Sequence, residues 1–209
     1  MSAAPAPVKR TGKAWNTVLA GIWKEHPIFG TVLGICSSLA VSNRVENAIA
    51  MGAGVTFCLV ATGILIAMLR RLIPARVRMI TYMIVIASFV IIVDRFLRAA
   101  FPTISEAIGP YVGLIITNCI LMGRAEAFFI SNKVGLSILD ALANGVGYTY
   151  TLLIFAVIRE ALGFGTILGM RVMPAGWTNW VVMVMAPGAF FLLGLFLWVT
   201  RTIAKVDGE

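Results

Sequence analysis

Three stretches of the chain, Val45–Leu69, Val134–Ile158 and Thr178–Thr200, stay apolar long enough to cross a lipid bilayer. A spanning helix needs about 20 mostly apolar residues for a hydrocarbon core about 30 Å thick. A fourth stretch, Met79–Val93, reaches that length when extended through Phe101, with Asp94, Arg95 and Arg98 at its end. Composition agrees: 60% of the 209 residues are hydrophobic and 12% charged, where soluble domains carry about 25% charged residues. The longest polar stretches are the termini and short loops, so no water-soluble domain is expected. The fold class that follows is an all-α integral membrane protein.

Two further apolar segments, Ile28–Ser42 and Tyr111–Gly123, are too short. As helices they extend about 22 Å and about 20 Å. Each opens just after a proline, Pro27 or Pro110, and contains internal glycine (Gly30 and Gly34; Gly113). Each ends near a charged triplet, "RVE" at 44–46 or "RAE" at 124–126. Short Gly/Pro-marked segments at matching places in two halves point to discontinuous helices around a membrane site. The match is specific: "PIFGTVLGIC" and "PYVGLIITNC" share Pro-x2-Gly-x5-Cys with a period of 83 residues, Cys36 to Cys119. Three segments per half force the halves into opposite orientation. The expectation is six transmembrane helices as an inverted 3+3 repeat, with two discontinuous, cysteine-bearing segments. The boundaries expected are a tail over 1–24, a first repeat over 25–103, a second over 104–200 and a tail over 201–209. The second half also carries a longer loop, "REALGFGTILGMRVMPAGW", before its last helix.

Lysine and arginine set the orientation. One side receives Lys9, Arg10, Lys13, Lys24, Arg70, Arg71, Arg76, Arg78, Arg124, Lys133, Arg201 and Lys205. The other receives Arg44, Arg95, Arg98, Arg159 and Arg171. The excess of positive charge places both termini in the cytoplasm. The net charge of +8 is therefore a matter of topology and implies no nucleic-acid partner. The basic, Ala/Pro-rich start lacks the apolar core of a secretory signal. Trp15, Trp23, Trp177, Trp180 and Trp198 lie near segment ends, as interfacial anchors do.

All three cysteines fall in apolar stretches. Cys58 has no mirror in the second half and reads as a small buried hydrophobe. Cys36 and Cys119 are related by the repeat and so should sit at similar depth. A disulfide has no evident purpose there, whereas thiolate ligation of iron would neutralise charge that hydrocarbon penalises. Iron–sulfur clusters usually take four cysteines, and structural zinc also takes four ligands. The chain offers two well-placed ones, so the remainder must come from a second copy or a related partner. Asp140 is either a buried functional carboxylate or a hydrated one near the interface. Arg124 and Glu126 either form a local ion pair or help hold a cofactor. One histidine (His26), no phosphate-binding glycine loop and no nucleophile–base pair leave no recognisable NAD or flavin site.

Four stretches, "LGICSSLAVSNRVENA", "GLIITNCILMGRAEAF", "ANGVGYTYTLLIFAVIRE" and "GFGTILG", together with "APGAFFLLGLFLW", resemble a known family. It comprises the D subunit of the sodium-translocating NADH:quinone oxidoreductase and the E subunit of the Rnf ferredoxin:NAD electron-transport complex. Ser37 follows Cys36 where Rnf sequences tend to have proline, which favours the sodium pump over Rnf. The resemblance implies six transmembrane helices with the cysteine segments as half-helices, in the bacterial inner membrane. It implies a subunit of a six-subunit translocase, not catalytic alone. It also implies an iron centre, [2Fe–2S], held by Cys36 and Cys119 with two cysteines of a paralogous E subunit of opposite orientation. Electrons from NADH would cross the membrane there on their way to ubiquinone, and cluster reduction would bias the half-helices between two accessible states. Two readings of other classes are a small inverted-repeat transporter, using Thr117, Asn118, Asp140, Asn144, Tyr148 and Tyr150, and a purely structural assembly subunit.

Overall fold

The computed structural model describes residues 33–100, 102–167, 170–171 and 180–206. The expectations for the N-terminal tail, Pro27, Gly30, His26, Trp15, Trp23 and Trp177 lie outside these residues. The described elements run α1 (Ile35–Val41), α2 (Val45–Leu69), α3 (Arg78–Ala100), α4 (Pro102–Ile116), α5 (Cys119–Arg124) with a π turn over Ala125–Phe129, α6 (Val134–Gly163), β1 (Thr166–Ile167), β2 (Met170–Arg171), α7 (Val181–Val184) and α8 (Ala186–Val206). Apart from the two-residue antiparallel ladder of β1 and β2, the regular structure is helical. Among the described residues, four helices are long and apolar enough to cross a membrane: α2, α3, α6, and Gly109–Phe129, which runs through a break between α4 and α5. Ala186–Thr200 is a shorter apolar helix.

Helices α2 and α6 form the centre. About half of each apolar window is buried (50% and 56%), against 22% for α3, which shows most of its surface outward. In lipid no water-driven force holds helices together, so close backbone approach through small residues does that work. The approach is reciprocal here. A Cβ at Gly52 would stand 2.6 Å from Thr149 Cγ2, and a Cβ at Gly145 would stand 2.7 Å from Thr56 Cγ2. Pairing 52 with 149 and 56 with 145 makes α2 and α6 antiparallel. Each threonine returns its hydroxyl to a carbonyl of its own helix, Thr56 to Gly52 O and Thr149 to Gly145 O, both at 2.8 Å. The two hydroxyls lie 3.4 Å apart.

Several expectations are corrected. The fourth apolar segment does not open after Pro110; α4 begins at Pro102 and carries Pro110 in its interior. Glu106, Gly109 and Pro110 are exposed, so the proline ring meets no packed neighbour on that side. The sixth segment is not one continuous helix: α7 ends at Val184 and α8 begins at Ala186. Pro187 cannot donate back to Met183. Gly188 lets the α7 backbone come closer than a side chain would permit; a Cβ there would meet Val182 O at 2.3 Å. The first five residues of the long loop, Arg159–Gly163, belong to α6.

The candidate thiol site and its polar supports

Cys119 is the central residue of the Gly109–Phe129 span and opens α5 directly after the break. Broken backbone at membrane depth is tolerated only where protein satisfies its polar groups. Asn118, fully buried, does this. Its side chain accepts from Ile120 N at 3.2 Å, and its own carbonyl accepts from Leu121 N and Met122 N. Its amide donates to Ser37 Oγ at 3.1 Å. Ser37 in turn donates to Gly34 O at 3.1 Å and meets Tyr148 OH at 2.8 Å. Ser37 thereby joins α1, the α4–α5 break and α6 through one hydroxyl.

Gly34, the residue before α1, has φ +81°, the left-handed region that favours glycine. Its N–H donates to Cys119 Sγ at 2.8 Å. Cys36 lies in the first turn of α1, two residues beyond the Gly34 N–H that binds Cys119 Sγ. The two cysteine segments, 83 residues apart in sequence, thus meet through the Gly34–Cys119 bond. Both thiols are free; Cys36 is exposed on this chain and Cys119 partly so, whereas Cys58 is buried inside α2. Among the described residues no group of three or more His, Cys, Asp or Glu side chains converges.

Asp140 is 1% exposed, which settles its alternatives in favour of burial. It forms a two-point ion pair with Arg124, through Nε to Oδ2 at 2.9 Å and NH2 to Oδ1. The expected local pair of Arg124 with Glu126 is therefore corrected. Two residues apart in this helical run they point to different sides, and Glu126 meets Arg78 at 3.2 Å and Tyr82 OH at 2.9 Å. Arg124 does not sit in a loop; it is buried at the end of α5. Asp94 pairs with Arg98 one turn on, at 2.9 Å.

Arg159 is also displaced from its expected loop. It lies inside α6 at 3% exposure, and Glu160 beside it at 5%. The buried polar residues of α6 run along most of its length: Ser137, Asp140, Asn144, Tyr148, Thr151, Arg159 and Glu160. Three of them hold the cysteine segments: Asp140 through Arg124, Tyr148 through Ser37, and Arg159 through Leu39 and Ser42. Loop contacts sort the two ends of the molecule. Arg70 donates to Asn132 O at 2.9 Å, so the loops after α2 and before α6 share one end. The end of α6 and the turn before α2 share the other.

The family model described as Rnf-Nqr subunit, membrane protein, matches residues 14–197. The chain belongs to this family. It is 43% identical over 192 residues to the D subunit of the Na(+)-translocating NADH-quinone reductase of Chlamydia felis, covering 87% of this chain and 90% of that protein. It is 42% identical over 204 residues to the protein of that name from Chlamydia trachomatis, covering 92% and 96%. The same name belongs to a relative from Pseudoalteromonas atlantica, 42% identical over 203 residues and covering 94% and 97%. The resemblance carried by the motifs around Cys36, Cys119 and Tyr148 thus extends over most of the chain.

Proposed function

We propose that this chain is a membrane subunit of a redox-driven sodium pump that passes electrons from NADH to ubiquinone, and that Cys36 and Cys119 are two of the ligands of an intramembrane [2Fe–2S] centre. The observation that carries the reading is the meeting of the two cysteine segments at the middle of an apolar span: Gly34 N–H binds Cys119 Sγ, and Cys36, exposed on this chain, follows two residues on. Two thiols are half the ligand set such a centre takes. A paralogous E subunit, in opposite orientation, supplies the other half. The donor set fits iron: thiolates alone would be costly in hydrocarbon, and a cationic metal offsets that cost. The Gly34 N–H on Cys119 Sγ is the kind of hydrogen bond to sulfur that tunes cluster potential. When bound, the centre supplies one-electron redox chemistry away from water. The residues of this chain hold it in place, exclude solvent on the α6 side and fix the spacing of the two sulfurs.

The six-helix inverted repeat with cysteine half-helices belongs to the same proposal. The reciprocal Gly–Thr crossing of α2 and α6 and the meeting of the two cysteine segments support it. The bacterial inner membrane, implied by the resemblance, and cytoplasmic termini, argued from positive charge, belong to the proposal as well. Low-temperature electron paramagnetic resonance on the reduced, intact complex tests the site. A cluster signal present in wild type and Cys58→Ala but absent in Cys36→Ala and Cys119→Ala is expected. An unchanged spectrum in both of the latter would exclude the assignment. The buried polar run along α6 favours a second reading, transport through this subunit without metal. Solute flux by iron-free complex in vesicles would support it.

A further inference from the structure

Arg159 and Glu160 grip one short turn from both sides. The turn Ser42–Arg44 joins the C-terminal end of α1 to the N-terminal end of α2. Arg159 NH1 donates to Leu39 O at 3.1 Å and to Ser42 Oγ at 2.6 Å. Glu160 Oε2 accepts from Val45 N at 2.8 Å. The signs are the favourable ones: a cation at the carbonyl end of α1, a carboxylate at the N–H end of α2. A helix of seven residues does not hold itself together, so α1 depends on its attachments. Leu39 lies one helical turn beyond Cys36. At the other end of α1, Gly34 is tied to Cys119 and Ser37 to Asn118 and Tyr148.

The same guanidinium reaches a third element. Arg159 Nε donates to Met183 O at 3.1 Å and NH2 to Val184 O at 3.0 Å. These are carbonyls at the α7–α8 break, and Met183 O is the one that Pro187 cannot serve. Among the described residues, every hydrogen bond of this buried cation ends on an uncharged oxygen of α1, of the turn that follows it, or of the α7 end. Burying a charge in this way is costly unless its donors are well occupied. The arrangement therefore specifies one relative position of the cysteine helix and the final membrane segment.

We propose that Arg159 is a positioning residue for Cys36. Through Leu39 and Ser42 it fixes where the Cys36 thiol stands against Cys119, and it ties that position to the α7–α8 break. The consequence for an iron centre rests on the function proposed above; the thiol geometry does not.

The test uses the intact membrane complex carrying Cys58→Ser, treated with chelator to strip iron, and a short fluorogenic bis-alkylating crosslinker as probe, each thiolate displacing one halide. The Cys36–Cys119 crosslinking rate should fall by about tenfold or more in Arg159→Gln, because misplacing reacting atoms by about 1 Å can cost about a hundredfold. Arg159→Lys, which keeps the charge and some donors, should recover part of it. In untreated complex the resonance line shape and midpoint potential of the centre should shift in Arg159→Gln. Unchanged crosslinking in an assembled Arg159→Gln complex would overturn the proposal. If that variant does not assemble, Ser42→Ala and Pro187→Ala replace it; the first removes one bond, the second offers Met183 O a competing donor. A slower rate in either supports positioning, and wild-type rates in both overturn it. Should Cys36→Ala retain its full iron while Arg159→Gln slows crosslinking, the iron assignment fails and the positioning role stands. Should Cys36→Ala lose iron while Arg159→Gln crosslinks normally, the reverse holds.

Discussion

The reciprocal crossing of α2 and α6 makes a prediction that few other arrangements would share. Adding a methyl group at Gly145 places it 2.7 Å from Thr56 Cγ2, 2.8 Å from Oγ1 and 3.1 Å from Cβ. Adding one at Gly52 gives 2.6, 2.8 and 3.1 Å to the same atoms of Thr149. Carbon contacts are optimal at about 3.5–4.0 Å, so two atoms overlap by close to 1 Å in each case. Overpacking of this kind costs about 1–3 kcal/mol. Alanine also gains up to ~1 kcal/mol over glycine in a helix interior, which partly masks the clash in a single variant. A double-mutant cycle removes that masking. Thr56→Ala deletes Cγ2 and Oγ1 and leaves only the 3.1 Å contact, which a shift of a few tenths of an ångström relieves. Gly145→Ala should therefore be rescued by Thr56→Ala, and Gly52→Ala by Thr149→Ala, with coupling of about 1–2 kcal/mol, inside the range seen for residues in contact. The same-helix combinations, Gly145→Ala with Thr149→Ala and Gly52→Ala with Thr56→Ala, leave the clash across the crossing in place, so they should show no such rescue. Unfolding of the purified complex in mixed SDS micelles reads all four. Rescue by the same-helix threonine, or no coupling at all, would refute the crossing.

Other outcomes follow from single contacts. Removing either member of the buried Arg124–Asp140 pair alone should cost about 3–5 kcal/mol, since it strands the other charge; the quantity of assembled subunit reports it, and exchanging the two residues should recover part of the loss. Tyr82→Phe removes one of two hydrogen bonds to Glu126. It should lower the stability of the complex by ~1 kcal/mol, read as a fall in its thermal midpoint and modest because Glu126 is partly exposed. Gly34→Ala forces a side chain into left-handed backbone at a cost of about 1–2 kcal/mol and sets a Cβ 3.0 Å from the Tyr148 ring. It should slow Cys36–Cys119 crosslinking more than it lowers overall stability.

The long central helices and the meeting of the two cysteine segments are legible in the sequence because each rests on a strong signal: apolar length in the first case, an identical Pro-x2-Gly-x5-Cys spacing in the second. The crossing is not, although its signal is present. "GAGVT" at 52–56 and "GVGYT" at 145–149 share Gly-x-Gly-x-Thr, but 93 residues apart. The cysteine period of 83 misses it, because ten more residues separate Cys119 from Gly145 than Cys36 from Gly52. Arg124 and Arg159 look like loop residues because charge usually ends a membrane segment. Here Arg124 is buried by a carboxylate sixteen residues on, and Arg159 by carbonyls of α1 and of the α7 end, partners that only the tertiary structure assembles. The break at Met185 is hidden for a related reason. Pro187 and Gly188 mark it, but an apolar run reads as continuous until the carbonyls freed by proline find their donor in Arg159.

Iron and acid-labile sulfide, counted per complex in wild type, Cys36→Ala, Cys119→Ala and Cys58→Ala, test the central claim most directly. Loss of one cluster's worth of both elements in the first two variants, with Cys58→Ala unchanged and quinone reduction falling in parallel, is the expected result. Full iron and sulfide in Cys36→Ala and Cys119→Ala would contradict the claim and leave the two thiols as packing groups in a subunit that works without them.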